Sequence, residues 1–240
     1  YEIYQCDWSS DVCSSDLTQM SPIRVVPGVS WKDVAAANSS IIAIKGDGTL
    51  WAWGYNGTGE LGTNNTISTS SPVQIGTSSN WSLVAGSGGI VYSGYGSLNA
   101  VNNLGQLYAW GINTYGQLGI GNTTYRSSPV QVSTSGMSIV QVASGPLNTF
   151  VLTVEGNILG TGYNAQGQLG DGTTVDKTVY VSTIFEDAWA SVSVGVNSAY
   201  GITRTDLLYA WGYNGQYAIT SEGYNNMVAT PVMVKLPLGG

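Results

Sequence analysis

Among 240 residues there is no histidine, and there are only two cysteines, two phenylalanines and 9% charged residues. Without histidine, the commonest general base and the commonest metal ligand are both missing. Both cysteines, Cys6 and Cys13, lie in a seventeen-residue leader whose sequence fits nothing downstream. The rest of the chain therefore has no cysteine nucleophile, no disulfide framework and no thiolate metal site. Lysine and arginine total seven against fourteen acids, so the basic patch that nucleic-acid binding needs is missing. No run of eighteen apolar residues occurs, so no membrane-spanning helix is expected. There is no long stretch at period 3.6 and no Gly-Lys-Ser/Thr phosphate cradle.

What the chain has instead is a repeated phrase. Residues 50–62 read LWAWGYNGTGELG, residues 107–119 LYAWGINTYGQLG, and residues 158–170 ILGTGYNAQGQLG. A decayed copy follows at 207–220. The glycines opening each G-x-N are Gly54, Gly111, Gly162 and Gly212, separated by 57, 51 and 50 residues. A period near fifty residues signals a solenoid, propeller or array.

Around each phrase the same parts recur in order. A short apolar run comes first (31–36, 139–143, 189–194), then a small residue at Ala37, Gly94, Gly145 or Gly195. Eleven positions later stands Gly48, Gly105, Gly156 or Asp206. Between those markers lie second apolar runs at 41–44, 98–101, 149–152 and 199–202, and the fourth runs are 72–75, 129–132, 178–181 and 231–234. All are short, rich in β-branched or aromatic residues, and bounded by Gly, Asn, Asp or Ser, which is strand chemistry with turn punctuation. Asp47-Gly48 and Glu155-Gly156 read as tight hairpin turns in which glycine supplies a positive φ. Four strands per fifty residues is the arithmetic of a β-propeller blade.

These units resemble the regulator-of-chromosome-condensation repeat. Its pattern runs roughly V-A-A-G-x-x-H-S-L-A-L-x-x-D-G-x-V-Y-x-W-G-x-N-x-x-G-Q-L-G, with P-x-x-V downstream. The resemblance covers about residues 29–235, and three copies keep G-[QE]-L-G in phase. It implies an all-β propeller of four-stranded blades, about four of them present, in a family whose ring usually has seven. The departures are specific. The family's histidine is Ser40, Ser97, Asn148 and Ser198 here, unit two carries an insertion within 85–92, and Thr161 replaces the tryptophan of unit three.

Residues 1–17 stand outside the repeat. Residues 7–17 match the translation of a common sequencing-library adapter, so the segment is read as an artefact of assembly. Removing its four acids (Glu2, Asp7, Asp11, Asp16) from fourteen leaves ten against seven bases, a net charge of −3. Residues 18–28 are a lead-in, and 29–237 hold the repeats, at about 29–76, 77–133, 134–183 and 184–237. The expectation is a bacterial or phage fragment of a larger ring, which would self-associate through open blade faces.

Candidate sites follow from the loops. Repeat scaffolds place function on variable loops. By the resemblance, the loops between first and second strands are exposed and variable, at Asn38-Ser39, Tyr95-Gly96, Pro146-Leu147 and Val196-Asn197. The third-to-fourth-strand loops carry Tyr125, Arg126 and Tyr224, and Tyr55, Tyr115, Tyr163 and Tyr213 gather around the G-x-N turns. Tyrosine and arginine are favoured interface anchors. Gly54, Asn56, Gly59, Gly111, Asn113, Gly116, Gly162, Asn164, Gly167, Gly212 and Asn214 read as turn architecture, the asparagines because they tolerate the left-handed region and bond nearby backbone. Trp51, Trp53, Trp110 and Trp211 read as core or interblade packing. The Gly-Asp-Gly triplets at 46–48 and 170–172 read as hairpins rather than calcium loops. Among loop carboxylates (Glu60, Asp171, Asp176, Glu222), nothing marks a catalytic pair.

The function expected is a non-catalytic propeller that binds another protein, with no cofactor, no metal and no nucleic acid. Its composition favours an extracellular, surface or virion setting. The alternatives are a carbohydrate-binding or carbohydrate-cleaving propeller and, third, the guanine-nucleotide exchange that founded the family.

Overall fold

The computed structural model describes residues 25–88, 96–215, 219 and 227–234. The chain divides into Tyr1–Ser30 and Trp31–Gly240. Of the first unit only 25–30 are described; they form bends, with the Val29 N–H donating to the Val26 carbonyl at 3.3 Å.

The second unit is built of strands, and no helix occurs among the described residues. Blade 1 comprises β1 (Trp31–Ala37), β2 (Ser40–Lys45), β3 (Leu50–Gly54) and β4 (Thr69–Gln74). Blade 2 comprises β5 (Trp81–Gly86), β6 (Ser97–Asn102), β7 (Leu107–Gly111) and β8 (Arg126–Gln131). Blade 3 comprises β9 (Ile139–Ser144), β10 (Asn148–Thr153), β11 (Ile158–Gly162) and β12 (Lys177–Ser182). Blade 4 comprises β13 (Trp189–Val194), β14 (Ser198–Thr203), β15 (Leu208–Tyr213) and β16 (Met227–Met233). Each sheet is an antiparallel meander in sequence order.

Successive blades pack face to face. The first strand of each blade lies against the first and second strands of the blade before it. The burial pattern follows: β6 and β10 are buried along their whole length, while β4, β8, β12 and β16 are half-buried or exposed. Three apolar clusters form the core. The one between blades 1 and 2 joins Ile42, Ile44, Leu50 and Leu61 to Trp81, Leu98, Ala100 and Trp110. The other two bind blade 2 to blade 3 and blade 3 to blade 4. A sheet with one bare face gains stability only when a neighbour covers it, so the apolar area sits in these seams.

The hairpin glycines have a second duty. Gly48, Gly105 and Gly156 take φ of 82°, 73° and 93°. Their carbonyls also accept the N–H groups of Trp81, Ile139 and Trp189, the residues that open the next blade. A Cβ on Gly48 would stand 2.2 Å from the Ser79 carbonyl oxygen. In the fourth unit Asp206 holds the same left-handed conformation at φ 63° and is exposed, so a side chain is accommodated there.

Candidate functional site

The G-x-N turn is assembled the same way in every blade. Pairing between the third and fourth strands skips one residue before the anchor glycine, at Trp53, Trp110, Thr161 and Trp211. The glycine then takes φ of 109°, 94°, 105° and 103° at Gly54, Gly111, Gly162 and Gly212. The following N–H (Tyr55, Ile112, Tyr163, Tyr213) donates to a carbonyl of the loop between strands 1 and 2, at Ser39, Gly96, Leu147 and Asn197. The two loop families that the sequence singled out therefore share one edge of the propeller.

The asparagines bond backbone as expected, but not from the left-handed region. None of Asn56, Asn113, Asn164 and Asn214 lies in the left-handed region. Each is buried, and its Oδ1 accepts the N–H five residues on, from Leu61, Leu118, Leu169 and Ile219. In the first three, Nδ2 donates to carbonyls nine and eleven residues on: Asn65 and Ile67, Asn122 and Thr124, Thr173 and Val175. They are staples that fold a long loop back on itself, and their burial is satisfied by those bonds.

The loop also latches onto the next blade. Gly59, Gly116 and Gly167 lie against the outer strands at Ser127, Thr178 and Ala229, where a Cβ would come within 2.8 Å of backbone. Beside them, the N–H groups of Asn64, Gly121 and Gly172 donate to the carbonyls of Ser127, Thr178 and Ala229.

The carboxylates serve this loop. Glu60 is buried and receives the Thr58 N–H and hydroxyl; Gln117 and Gln168 accept the equivalent N–H groups of Tyr115 and Gln166. Asp176 accepts the Asn164 N–H at 2.7 Å. Asp171 is not in a hairpin, contrary to expectation. It sits in the third-to-fourth-strand loop, takes hydrogen bonds from Thr173 and Asn164, and pairs with Lys177 at 3.2 Å. Burial pushes its pKa up, but those hydrogen bonds outweigh it and hold the carboxyl below its ordinary 3.8. Asp47 does lie in a hairpin, where hydrogen bonds from Thr49 and Lys45 hold its pKa near 2.

The tyrosines are distributed along the shared edge. Tyr55 is 41% exposed and its ring covers Gly57; half-buried Tyr213 covers Gly215 in the same manner. Tyr115 and Tyr163, from adjacent blades, meet edge to face at 5.1 Å. Tyr125 is 44% exposed and its hydroxyl bonds that of Thr114 at 2.8 Å; Arg126 beside it is half-buried at the start of β8. Tyr95 and Tyr224, with Glu222, lie outside the described residues. Trp110 and Trp211 are fully buried between blades, whereas Trp51 and Trp53 are half-buried, Trp53 with its ring 5.9 Å from that of Trp31. Sequence reading passed over Trp81 and Tyr108, which line a groove of about 580 Å³ between blades 1 and 2. Their sequence signal was an aromatic residue at matching places of three units: Trp31, Trp81 and Trp189, and Trp51, Tyr108 and Tyr209.

The model for the "Regulator of chromosome condensation (RCC1) repeat" matches residues 47–92 and 105–152. The ultraviolet-B receptor UVR8 of Arabidopsis thaliana is 30% identical over 227 residues, 93% of this chain and 50% of the receptor. Mouse protein RCC2 is 33% identical over 152 residues, 63% of this chain and 28% of that protein. The crystal structure of Prp20p from Saccharomyces cerevisiae superposes with a TM-score of 0.78 at 17% identity, over 91% of this chain and 54% of that one. The chain thus spans about half the length of the receptor and of Prp20p, and less of RCC2. With sixteen strands in four meander blades among the described residues, the stapled G-x-N loop and these likenesses together, the chain belongs to the RCC1-repeat β-propeller family.

Proposed function

We propose that this propeller is a non-catalytic protein-binding scaffold whose contact face is the edge shared by the strand 1–2 loops and the G-x-N turns. The observation that carries the reading is the row of tyrosines there, with Tyr55 exposed, Tyr115 against Tyr163, and Tyr125 tied to Thr114. Tyrosine offers a large, rigid surface with a polar tip at low entropic cost, as binding faces require. A binding role also suits the relatives, since Prp20p has binding properties toward Gsp1p and histones. The use of Glu60, Asp171 and Asp176 in loop closure supports a role without catalysis. Low charge and abundant Asn, Ser, Thr and Tyr support an extracellular, surface or virion setting. Half-buried Trp53 and exposed Ser70, at positions that other blades latch, support self-association through the face of blade 1.

The test is affinity capture by the full chain, compared with a folded Tyr115→Ala/Tyr163→Ala double variant. A specific partner should be held by the parent and lose about tenfold or more in affinity with the variant. Undiminished capture by the variant would remove the tyrosine edge from the reading. A turnover abolished by changing Asp176 and Glu222 would replace it with an enzyme.

A further inference from the structure

Two of the three blade seams share one aromatic frame, and one of the two is unfilled. Between blades 3 and 4, Trp189 and Tyr209 stand perpendicular at 5.7 Å. Phe185 packs against both, stacked on Trp189 at 4.2 Å and edge-on to Tyr209 at 4.5 Å. Between blades 1 and 2, Trp81 and Tyr108 hold the same places. Trp81 and Trp189 each open the first strand of their blade, and Tyr108 and Tyr209 stand at the same pairing position of the third strand. They too are perpendicular, with centroids 5.0 Å apart at 81°.

The filling residue is what differs. Ile75 and Thr183 donate equivalent backbone hydrogen bonds, to Leu50 and Ile158. Counting on from these, Ile184 and Phe185 correspond to Gly76 and Thr77. Gly76 brings no side chain, and nothing lies within 4 Å of where its Cβ would be. Thr77 is exposed. In the middle seam the two places are apolar, Ile139 and Leu159, and Met137 and Tyr180 pack against their cluster. A groove of about 580 Å³ opens at the seam where Gly76 and Thr77 supply no filler, lined by Trp81, Tyr108, Gly76, Asn64, Ser78 and Pro129. The Trp81 indole N–H in this wall is buried without a hydrogen-bond partner.

We infer that this groove receives an aromatic side chain, phenylalanine by preference, presented by a peptide segment of a partner protein. The chain's own Phe185 shows which group this frame accommodates, and the frame of Trp81 and Tyr108 has the same parts in the same perpendicular relation. Asn64 and Ser78 border the aromatic wall with amide and hydroxyl groups, the mixture that orients a peptide backbone around a buried anchor. The inference rests on the protein-binding reading but engages the seam between β4 and β8, not the tyrosine edge.

The experiment follows the Trp81 indole N–H of the full chain by NMR. The probe is acetyl-Gly-Phe-Gly-amide, with the Ala tripeptide and maltose as comparisons. Two variants block the groove: Thr77→Phe, which copies Phe185, and Pro129→Tyr, which copies Tyr180 on the matching outer strand. The Phe tripeptide should shift the Trp81 signal with a Kd on the order of 10 mM, about what one buried ring supports. The Ala tripeptide should leave the signal in place, and binding should weaken about fivefold or more in whichever blocking variants fold. The proposal is overturned by no shift at about 50 mM Phe tripeptide, by binding undiminished in a folded blocking variant, or by a shift from maltose alone. If the tyrosine-edge variant still loses its partner after such a failure, the broader reading stands without this groove. If the tripeptide binds while the tyrosine variant loses nothing, the groove stands without the tyrosine edge.

Discussion

The indole N–H of Trp110 donates to the backbone carbonyl of Glu60 at 2.7 Å, from the third strand of blade 2 to the G-x-N loop of blade 1. Fifty residues separate them, seven fewer than separate Gly54 from Gly111, and the bond joins the repeated phrase to its own next copy. It works with the loop-to-outer-strand bonds, such as Asn64 N–H to the Ser127 carbonyl, to hold blade against blade. The repeated phrase thus encodes the seam between blades as well as a turn within one.

That pairing predicts an asymmetry between two equivalent tryptophans. Trp110 and Trp211 are both fully buried, but the Trp211 indole N–H has no partner. Replacing Trp110 with Phe strands the Glu60 carbonyl, whereas Trp211→Phe removes a polar group that burial already penalises. Trp110→Phe should therefore cost about 1–2 kcal/mol more than Trp211→Phe. Urea midpoints of the two variants measure it, and equal midpoints would mean that the bond contributes nothing.

Glycines of similar backbone conformation should differ just as sharply. Gly111 and Gly136 take φ of 94° and 80°. A Cβ on Gly111 would lie 2.4 Å from the Gly96 carbonyl oxygen, while one on Gly136 meets nothing within 4 Å. Gly136→Ala should cost only the left-handed strain, about 1–2 kcal/mol. Gly111→Ala adds a backbone clash and should cost about 3 kcal/mol or more, with an altered strand 1–2 loop. Thermal melts of both proteins decide whether conformation or close approach governs the anchor glycine.

The blade count and strand order were legible in the chain because glycine, asparagine and the apolar runs recur at one period. The role of Asn113 was only half legible. Its place after Gly111 marks a turn, but its partners Asn122 and Thr124 lie across a loop whose path no local pattern specifies. Asp171 misled for a related reason. Gly-Asp-Gly has the composition of a hairpin, and only the fold shows Asn164 and Lys177 converging on its carboxylate. The groove beside Trp81 was hidden because it depends on what Gly76 and Thr77 lack relative to Ile184 and Phe185. That difference acquires meaning only once Phe185 is seen against both Trp189 and Tyr209.

Asp171 gives a pH signature. Its folded-state pKa lies below the ordinary value of 3.8, so its contribution to stability is present above that value and is lost as pH falls through the folded pKa. Asp171→Asn should destabilise the protein at pH 7 by about 1–2 kcal/mol, through loss of charge-assisted bonds from Thr173 and Lys177. The gap to the parent should narrow as pH falls from neutral through the lowered folded pKa, since the parent then also carries a neutral group. Chemical denaturation at both ends of that window checks it. A gap that stays constant would mean that the ion pair contributes nothing and that only side-chain shape was changed.

The middle seam tests whether the repeat can be restored. Thr161 stands where Trp110 and Trp211 stand, and its hydroxyl donates to the Gly116 or Lys177 carbonyl, both 2.9 Å away. The missing indole is replaced from the outer strand. A Cβ on Gly119 would meet the Tyr180 ring at 2.4 Å and the Thr161 methyl at 3.3 Å, whereas at Gly62 and Gly170 the near atoms belong to Trp110 and Trp211. Tyr180 therefore occupies space that an indole uses elsewhere, and its hydroxyl is buried without a partner, which pushes its pKa up. Thr161→Trp alone should overpack the seam and cost about 1–3 kcal/mol. Tyr180→Val alone should leave a cavity and cost about 2–4 kcal/mol. Together they should cost less than the sum by at least about 1 kcal/mol, because each change fills or vacates what the other requires. Additive effects would place the two side chains in separate pockets. A double variant as stable as the parent would mean that the seam accepts a filler from either strand, which is the freedom that let Gly76 and Thr77 leave another seam open.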